Sequence, residues 1–340
     1  MSAHGRPIRV LEGYAGIKPT TNPYITQVDA ALRATEGLTV STFTARRALT
    51  GGYDLLHLHW PENLFGGHSL EGRVARRALT TLILLRLTLT RTPIVRTTHN
   101  LHRPSGLAWY DHRLLDWIDR LTRVQIRLND ATDLPVGRVV ETIPHGHYRE
   151  WYARLPRATA VPGRIGYIGL IRRYKGVEDL LRAFHDLDDE GATLRVTGQP
   201  STTELADTVT SLAEQDPRIS LRLEYVDDAA FVEELSSASL VVMPYLHMHN
   251  SGVSLAALSL DRPILVPDTP VNRALAAEVG ARWVHLFEDR VDASDLARAL
   301  DAAAAIDASD RPNLAARDWS DAGRAHLRAF LAATGRGGPT

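Results

Sequence analysis

The chain of 340 residues predicts an α/β protein: two doubly wound, Rossmann-like domains facing a cleft. Three observations carry this. Short β-branched and apolar runs alternate with helical runs along the whole chain, which is the pattern of parallel sheets with right-handed crossovers. The alternation falls into two series, and the second starts near Arg164. Between them, "YARLPRATAVPG" (152–163) is rich in Pro, Arg and Ala, has no periodicity and reads as a linker. The length suits two domains of roughly 150 residues each better than one core. The expected limits are 1–155 and 156–315, with a terminal helix over 316–340.

Each element follows from local chemistry. "IRVLEG" (8–13) is a strand by its apolar, β-branched content. "NPYITQVDAALRA" (22–34) is a helix with Asn22 as N-cap and Pro23 at the first position, where a missing N–H costs nothing. "LTVSTFT" (38–44), "YDLLHLHW" (53–60), "TPIVRTTHN" (92–100), "VQIRLND" (124–130) and "VVETIPHGH" (139–147) continue the strands. In the second series the strands are "RIGYIGLI" (164–171), "ATLRVTGQP" (192–200), "ISLRLEYV" (219–226), "SLVVMPY" (239–245), "PILVPD" (263–268) and "ARWVHLF" (281–287). The helices between and after them are "GVEDLLRAFHDL" (176–187), "TELADTVTSLAEQ" (203–215), "DAAFVEELSSA" (228–238), the segment after Gly252, "NRALAAEVG" (272–280) and "DASDLARALDAAAA" (292–305).

Composition narrows the function. With 39 basic and 40 acidic side chains the net charge is −1, so no global field draws the chain to nucleic acid. The absence of cysteine rules out disulfides and thiolate zinc sites. "MSAHGRPIRVLEGYAG" lacks an apolar signal core, and a cytoplasmic protein is expected. The most apolar run, "LTTLILLRLTL" (79–89), is broken by Arg86 and falls short of the about 20 residues a membrane span needs. The wider window 71–91 is basic at both ends and apolar between. It reads either as a helix packed on a sheet with its arginines in water, or as a surface resting on anionic lipid at the inner membrane face.

Two stretches of the second series carry phosphate chemistry. In "HNSGVSLAALSL" (249–260), Asn250 and Ser251 are N-cap types, and Gly252 permits close approach of a ligand. The amides of Gly252, Val253 and Ser254 would point out of the helix start toward an anion. A capped helix with no ligand is the alternative. In "YIGLIRRYKGVEDLLRAF" (167–184) a strand ends at Gly169, and Arg172 and Lys175 precede a helix. Arg offers a planar fork and Lys a point charge to a diphosphate; the alternative is two solvated surface cations. Both stretches lie at helix starts, where a doubly wound domain gathers its ligand.

"GLIRRYKGVEDLLRAF", "VTGQP", "LVVMPYLHMHNSGVSLAALSLDRPILVPD" and "RDWSDAGRAHLRAFL", with "NPYITQVDAAL", "DLLHLHWPEN" and "RTTHNLHRP" before them, resemble a GT-B fold glycosyltransferase over most of the chain. The similarity is to the bacterial exopolysaccharide and glycolipid mannosyltransferase-like branch, with an NSG loop in place of the EGFG loop. The resemblance implies a nucleotide-sugar donor on the C-terminal domain, its diphosphate held by Arg172, Lys175 and the amides of Ser251, Gly252 and Val253. Base and ribose would lie near 198–200, 224–228 and Tyr245, and the last helix would cross back to the N-terminal domain. It also implies a histidine, His99, that touches the donor sugar or phosphate. The family's retaining members carry two glutamates in this region. Aligned on Arg262 and Pro263, those positions are Met248 and Ala256, and Leu170 replaces the usual Arg after the strand glycine.

Inversion at an anomeric carbon requires a base for the acceptor hydroxyl. His57, His59 and Glu62 follow one strand, and His99 and His102 follow another. Glu62 is the first choice as the base, since it follows Trp60 and Pro61 in a turn; a solvated loop carboxylate is its alternative, and a structural histidine is that of His99. His145 and His147 either line the cleft or mark a hinge. The pairs 57/59 and 145/147 each share a strand face, but no further ligands stand at zinc spacing and no Asp-x-Asp occurs, so neither metal nor cofactor is expected. The expected activity is metal-independent, inverting transfer of a hexose, mannose by family branch, from a nucleotide diphosphate to a saccharide, glycolipid or other small acceptor. A retaining transferase and a catalytically degenerate nucleotide-sugar-binding protein are the alternatives. "LEGYAGIKP" lacks the Gly-x-Gly-x-x-Gly of a dehydrogenase.

Overall fold

The computed structural model describes residues 6–18, 20–67, 69–100, 102–134 and 137–336; residues 1–5 and 337–340 of the expected domain limits lie outside them. The chain forms two compact units: one is the chain through Gly146 together with the chain from Arg317 onward, and the other is His147–Ala316.

The first unit has strands β1 (Ile8–Glu12), β2 (Leu38–Thr42), β3 (Leu55–Leu58), β4 (Ile94–Thr98), β5 (Thr122–Arg127) and β6 (Val139–Thr142), with helices α1 (Pro23–Ala34), α2 (Ala45–Thr50), α3 (Leu70–Thr90) and α4 (Trp109–Leu121). The second has β7 (Arg164–Ile168), β8 (Thr193–Thr197), β9 (Ile219–Arg222), β10 (Leu240–Val242), β11 (Ile264–Pro267) and β12 (Val284–Phe287). Its helices are α5 (Arg149–Tyr152), α6 (Val177–His185), α7 (Thr203–Ala213), α8 (Asp228–Ser237), α9 (Gly252–Ser259), α10 (Pro270–Val279) and α11 (Ala293–Ala304). The last helix, α12 (Trp319–Thr334), belongs to the first unit.

Both sheets are parallel and six-stranded, in the orders β2-β1-β3-β4-β5-β6 and β12-β11-β10-β7-β8-β9. Strand alternation explains the packing of the first. Val10 and Leu55, paired in register, face one core with α1 and α12, while Leu11, Leu56 and Leu58 face another with α3 and α4. Helices on both faces leave the strands apolar on both sides, as the sequence runs require. α1 starts as the sequence predicts: Asn22 Oδ1 accepts from Tyr24 N at 2.9 Å, with Pro23 at the first turn. α12 lies close on α1 because Gly323 has no side chain; a Cβ there would stand 2.3 Å from Thr35 Oγ1.

The division between units falls nine residues before the 155/156 expected from the linker's composition. Tyr148 and Tyr152 stack at 5.4 Å in the second unit's core, and Tyr148 N donates to Ser259 Oγ at 2.8 Å. The linker itself is tied down, with Ala158 N on Ser236 Oγ and Val161 N on Ser237 O. Burial of two aromatics outweighs the polar character of their surroundings.

α3 does pack on the sheet, through Ile83, Leu84 and Leu87. Its opposite face is apolar too: Leu70, Val74, Leu82, Leu85 and Leu89 are all exposed, and at 100° per residue they fall within about 120° of arc. Among the described residues no helix is long and apolar enough to cross a membrane.

Candidate active site

In an open parallel sheet, ligands bind beyond the carboxyl ends of the strands, where neighbouring connections depart in opposite directions. Strand order places one such point between β1 and β3 and another between β7 and β10. Chemistry-bearing side chains gather at both.

At the first point, Glu12 ends β1 and His57 lies in β3, both fully buried, with His59 just beyond them. His57 points to the face of the sheet covered by α12, with its ring 5.3 Å from that of Phe330. Glu12 Oε1 lies 3.0 Å from His57 Nδ1, and His57 Nε2 lies 2.9 Å from Thr97 Oγ1 of β4. Glu12 Oε2 faces His59 Nε2 at 3.7 Å, and neither atom has a hydrogen bond. His59 Nδ1 is 3.1 Å from His99 Nε2. His99 is half-buried, stacked on Trp60 at 4.3 Å and edge-on to Tyr24 at 5.1 Å.

The electrostatics follow from burial and from the one carboxylate. Burial opposes ionisation of Glu12, but the charges and hydrogen bonds of His57 and His59 outweigh it and hold the carboxyl at about 2. Burial and then the neighbouring His57 push His59 down to about 4, against the pull of Glu12. His99 is well below the ordinary imidazole value, through burial first and then His59, His145, His57 and Arg96. His145 is lowered to about 4 and His326 to about 3, chiefly by burial. At neutral pH Glu12 is thus a carboxylate, with His59, His99, His145 and His326 neutral around it. Atoms of Glu12, His57 and His59 lie within 4.8 Å of one another, so the trio is a candidate metal-ligand set, although hydrogen bonds already occupy both ring nitrogens of His57.

A cavity of about 450 Å³ opens at this point, lined by Tyr14, His59, Trp60, Asn63, Leu64 and Arg76 among others. It offers aromatic faces, one guanidinium and amide groups, which suits a sugar carrying an anionic group. Glu62 stands in a 3-10 turn (Pro61–Leu64), half-buried, and is not among the lining residues; His102 is exposed. His145 joins the aromatic group at 4.6 Å from Tyr24, and Arg317 Nη1 donates to its carbonyl.

The second point gathers the phosphate residues. Gly176 (φ +64°) and Gly198 (φ +151°) allow the loops to meet: a Cβ would stand 2.0 Å from Pro244 O at the first and 1.8 Å from Gly169 O at the second. The turn before α6 therefore lies against the end of β10, with Leu246 N donating to Tyr174 O at 3.0 Å. Lys175 Nζ sits 4.9 Å over the ring of buried Tyr245, within reach of Gly169 and, through it, Val253. Burial and then the charge of Arg172 pull Lys175 down to about 8. Arg173 is engaged by Glu204 and Glu178, while Arg172 is exposed and, among the described residues, neither it nor Lys175 has an ion pair. Two cations without a carboxylate call for an anion.

At the start of α9, Ser251 Oγ accepts from Ser254 N at 3.3 Å. One of the three amides expected for an anion is thus spent on the cap. Gly252 and Val253 keep theirs, and Asn250 stands half-buried just before them. Met248 and Ala256 are both buried, and Met248 Sδ accepts from Asn272 Nδ2 at 3.5 Å. A thioether and a methyl group fill the places of the family's two acids.

Sequence reading missed Glu12, which looks like the end of an apolar strand. The signal was there: a carboxylate in a run destined for burial needs partners, and the histidines of the adjacent strand supply them. Thr97, His326 and the pocket residues Tyr14 and Arg76 gave no such signal.

Residues 162–305 match the family model described as "Glycosyl transferases group 1". The chain is 45% identical over 318 residues to a GDP-mannose:glycolipid 4-beta-D-mannosyltransferase of Xanthomonas campestris pv. campestris, covering 94% of this chain and 90% of that protein. A second such protein from the same species is 44% identical over equal coverage. Among solved structures, Anabaena HepE in complex with UDP superposes with a TM-score of 0.60 at 15% identity, covering 97% of this chain and 98% of the other. AviGT4, a glycosyltransferase involved in avilamycin A biosynthesis, gives 0.62 at 14% identity, covering 97% and 99%. The chain belongs to the group 1 glycosyltransferases and has the GT-B fold.

Proposed function

We propose that the protein transfers mannose from GDP-mannose to a glycolipid, with inversion and without a metal ion. The donor and acceptor classes are those in the names of the relatives that match nearly the whole chain. GDP-mannose holds its sugar through an α linkage, so the β product in those names is an inverted one. The burial of Met248 and Ala256 where retaining members carry acids is consistent with inversion.

The observation that carries the reading is the cation pair Arg172 and Lys175, which among the described residues has no carboxylate partner, at the β7/β10 point. It supports a diphosphate subsite: guanidinium, ammonium and the amides of Gly252 and Val253 take up the charge that develops as the C1–O bond breaks. Tyr245 and Ser251 support the cations and the helix start, and Asn250 adds a polar group before them. Side-chain charge then fills the role that a divalent ion fills in other sugar transferases. Of the two proposed catalytic residues, His99 is favoured as base by its contact with His59, since Glu62 stands outside the residues that line the cavity. The lined cavity of the first unit takes the acceptor.

α3 supports peripheral contact with the cytoplasmic face of the membrane: five exposed apolar side chains, with the exposed Arg73 and Arg91 near the two ends of the helix, suit an anionic lipid surface.

Donor binding tests the reading. GDP is expected to raise the melting temperature by mass action more than UDP or ADP at equal concentration, with or without EDTA. A protein that none of the three stabilises contradicts it.

A further inference from the structure

We propose that Arg149, Arg157, Arg262 and Arg311 form a second anion site, apart from the donor subsite, that takes a compact diphosphate group beside Asp261. The site stands whether or not the protein transfers mannose.

The four arginines come from four separate segments of the second unit: α5, the linker before β7, the turn between α9 and β11, and the stretch after α11. Their meeting point is therefore set by the tertiary fold and not by one basic run. It lies at the carboxyl end of α9, where Asp261 N and Arg262 N donate to Leu258 O and Ala257 O and close the helix. The donor subsite lies at the amino end of the same eight-residue helix, about 12 Å away along its axis.

One carboxylate serves all four. Asp261 Oδ1 lies 3.2 Å from Arg149 Nη2, and Oδ2 lies 3.2 Å from Arg311 Nε and 3.8 Å from Arg157 Nη1. Arg262 has no ion pair among the described residues, and its Nε donates to Leu260 O at 3.3 Å. Burial first, and then Arg157 and Arg311, disfavour the charge of Arg262 against the pull of Asp261. Asp310, beside Arg311, is spent on Arg282. Carbonyl groups orient two of the forks: Arg149 Nη2 donates to Pro312 O, and Arg311 Nη1 to Ala308 O and Asp310 O. They are neutral and leave the charge in place. The end of α9 offers only about half a negative charge, so most of the excess of guanidinium over carboxylate is uncompensated.

A mere staple between segments would need one or two arginines on the carboxylate; further ones repel each other. A bound anion removes that repulsion. Guanidinium forks match phosphate oxygens two at a time, and two joined phosphates engage several forks at once. Access is open, since the side chains of Arg149, Arg157 and Arg311 are 34%, 40% and 51% exposed.

The test is calorimetric titration of the full chain with inorganic pyrophosphate. A saturable site beside the donor one is expected. Arg172→Gln with Lys175→Met removes the donor site and leaves this one. Arg157→Gln with Arg311→Gln weakens this one by at least about tenfold, the loss of a charge-assisted bond, and leaves the donor site unchanged. Asp261→Asn binds pyrophosphate more tightly than the parent, because a competing negative charge is gone; a structural staple predicts the reverse. Binding abolished entirely by the Arg172 and Lys175 changes, or Asp261→Asn binding no more tightly than the parent, overturns the proposal. If the double arginine variant does not fold, Arg157→Gln alone, at an exposed side chain, is expected to show the same weakening, and parental affinity in it is equally fatal. Displacement by GDP assigns the diphosphate to a nucleotide, and displacement by a short-chain lipid diphosphate assigns it to a lipid; displacement by neither leaves the inorganic ion.

Discussion

Replacing Lys175 by Met separates binding from stability, because the two effects have opposite signs. The ammonium is half-buried beside Tyr245, has no ion pair, and is lowered from 10.5 to about 8. The unfolded chain therefore binds more protons than the native one between those values, and stability rises with pH across that window. Below pH 8 the lysine is a standing cost. At about 1.4 kcal/mol per unit, reduced for partial exposure, removing the charge is expected to stabilise the empty protein by on the order of 1–2 kcal/mol at pH 7. The same change removes a charge-assisted bond to diphosphate, worth about 1.5–3 kcal/mol, so Kd for GDP rises roughly 10- to 150-fold. Calorimetric titration of both proteins with GDP from pH 6.5 to 9.5 measures this. The parent's affinity should be full below pH 8 and fall above it, as binding must then recruit a proton; the variant's should lack that fall. Unchanged affinity in Lys175→Met, or a variant less stable than the parent at pH 7, refutes the reasoning.

Other consequences follow from the same structure. Gly176→Ala puts a Cβ 2.0 Å from Pro244 O at φ +64°, and should cost about 2–4 kcal/mol in denaturant unfolding and weaken GDP binding by misplacing Lys175. Triple substitution of Leu82, Leu85 and Leu89 by Ser should abolish flotation with anionic vesicles while changing stability by less than about 0.5 kcal/mol per site; unchanged flotation contradicts the role given to α3. His59, His145 and His326, at about 4, 4 and 3, take up protons on unfolding as pH falls below the ordinary 6.5. Each contributes up to about 1.4 kcal/mol per pH unit between 6.5 and its native value, so the melting temperature should drop steeply from pH 6 to 4.5; a flat profile contradicts a neutral buried cluster.

Much of this architecture was legible in the residues because burial on both faces of a parallel sheet leaves apolar runs of strand length, with helical periods between them. Asn22 and Pro23 marked the start of α1 by capping chemistry alone, and Arg172 and Lys175, just before Gly176 and α6, marked a cationic turn by charge. Strand order was not legible, since equal alternation fits several orders. For that reason the β1/β3 point, and with it Glu12 beside His57 and His59, emerged only in three dimensions. The same limit explains Glu62: its position in the chain placed it near a strand end, but a 3-10 turn decides which of its neighbours line the cavity. α4, with Asp111 bonded to Arg77 and buried Leu114, Leu115 and Ile118, is helical by period but was not singled out in the sequence.

The most direct test is the anomeric configuration of the product formed from GDP-mannose and a lipid-linked acceptor, read from the one-bond C1–H1 coupling. A β-mannosyl product made in the presence of EDTA is expected. An α product, or transfer that stops when divalent ions are removed, would contradict inversion driven by the Arg172 and Lys175 cations.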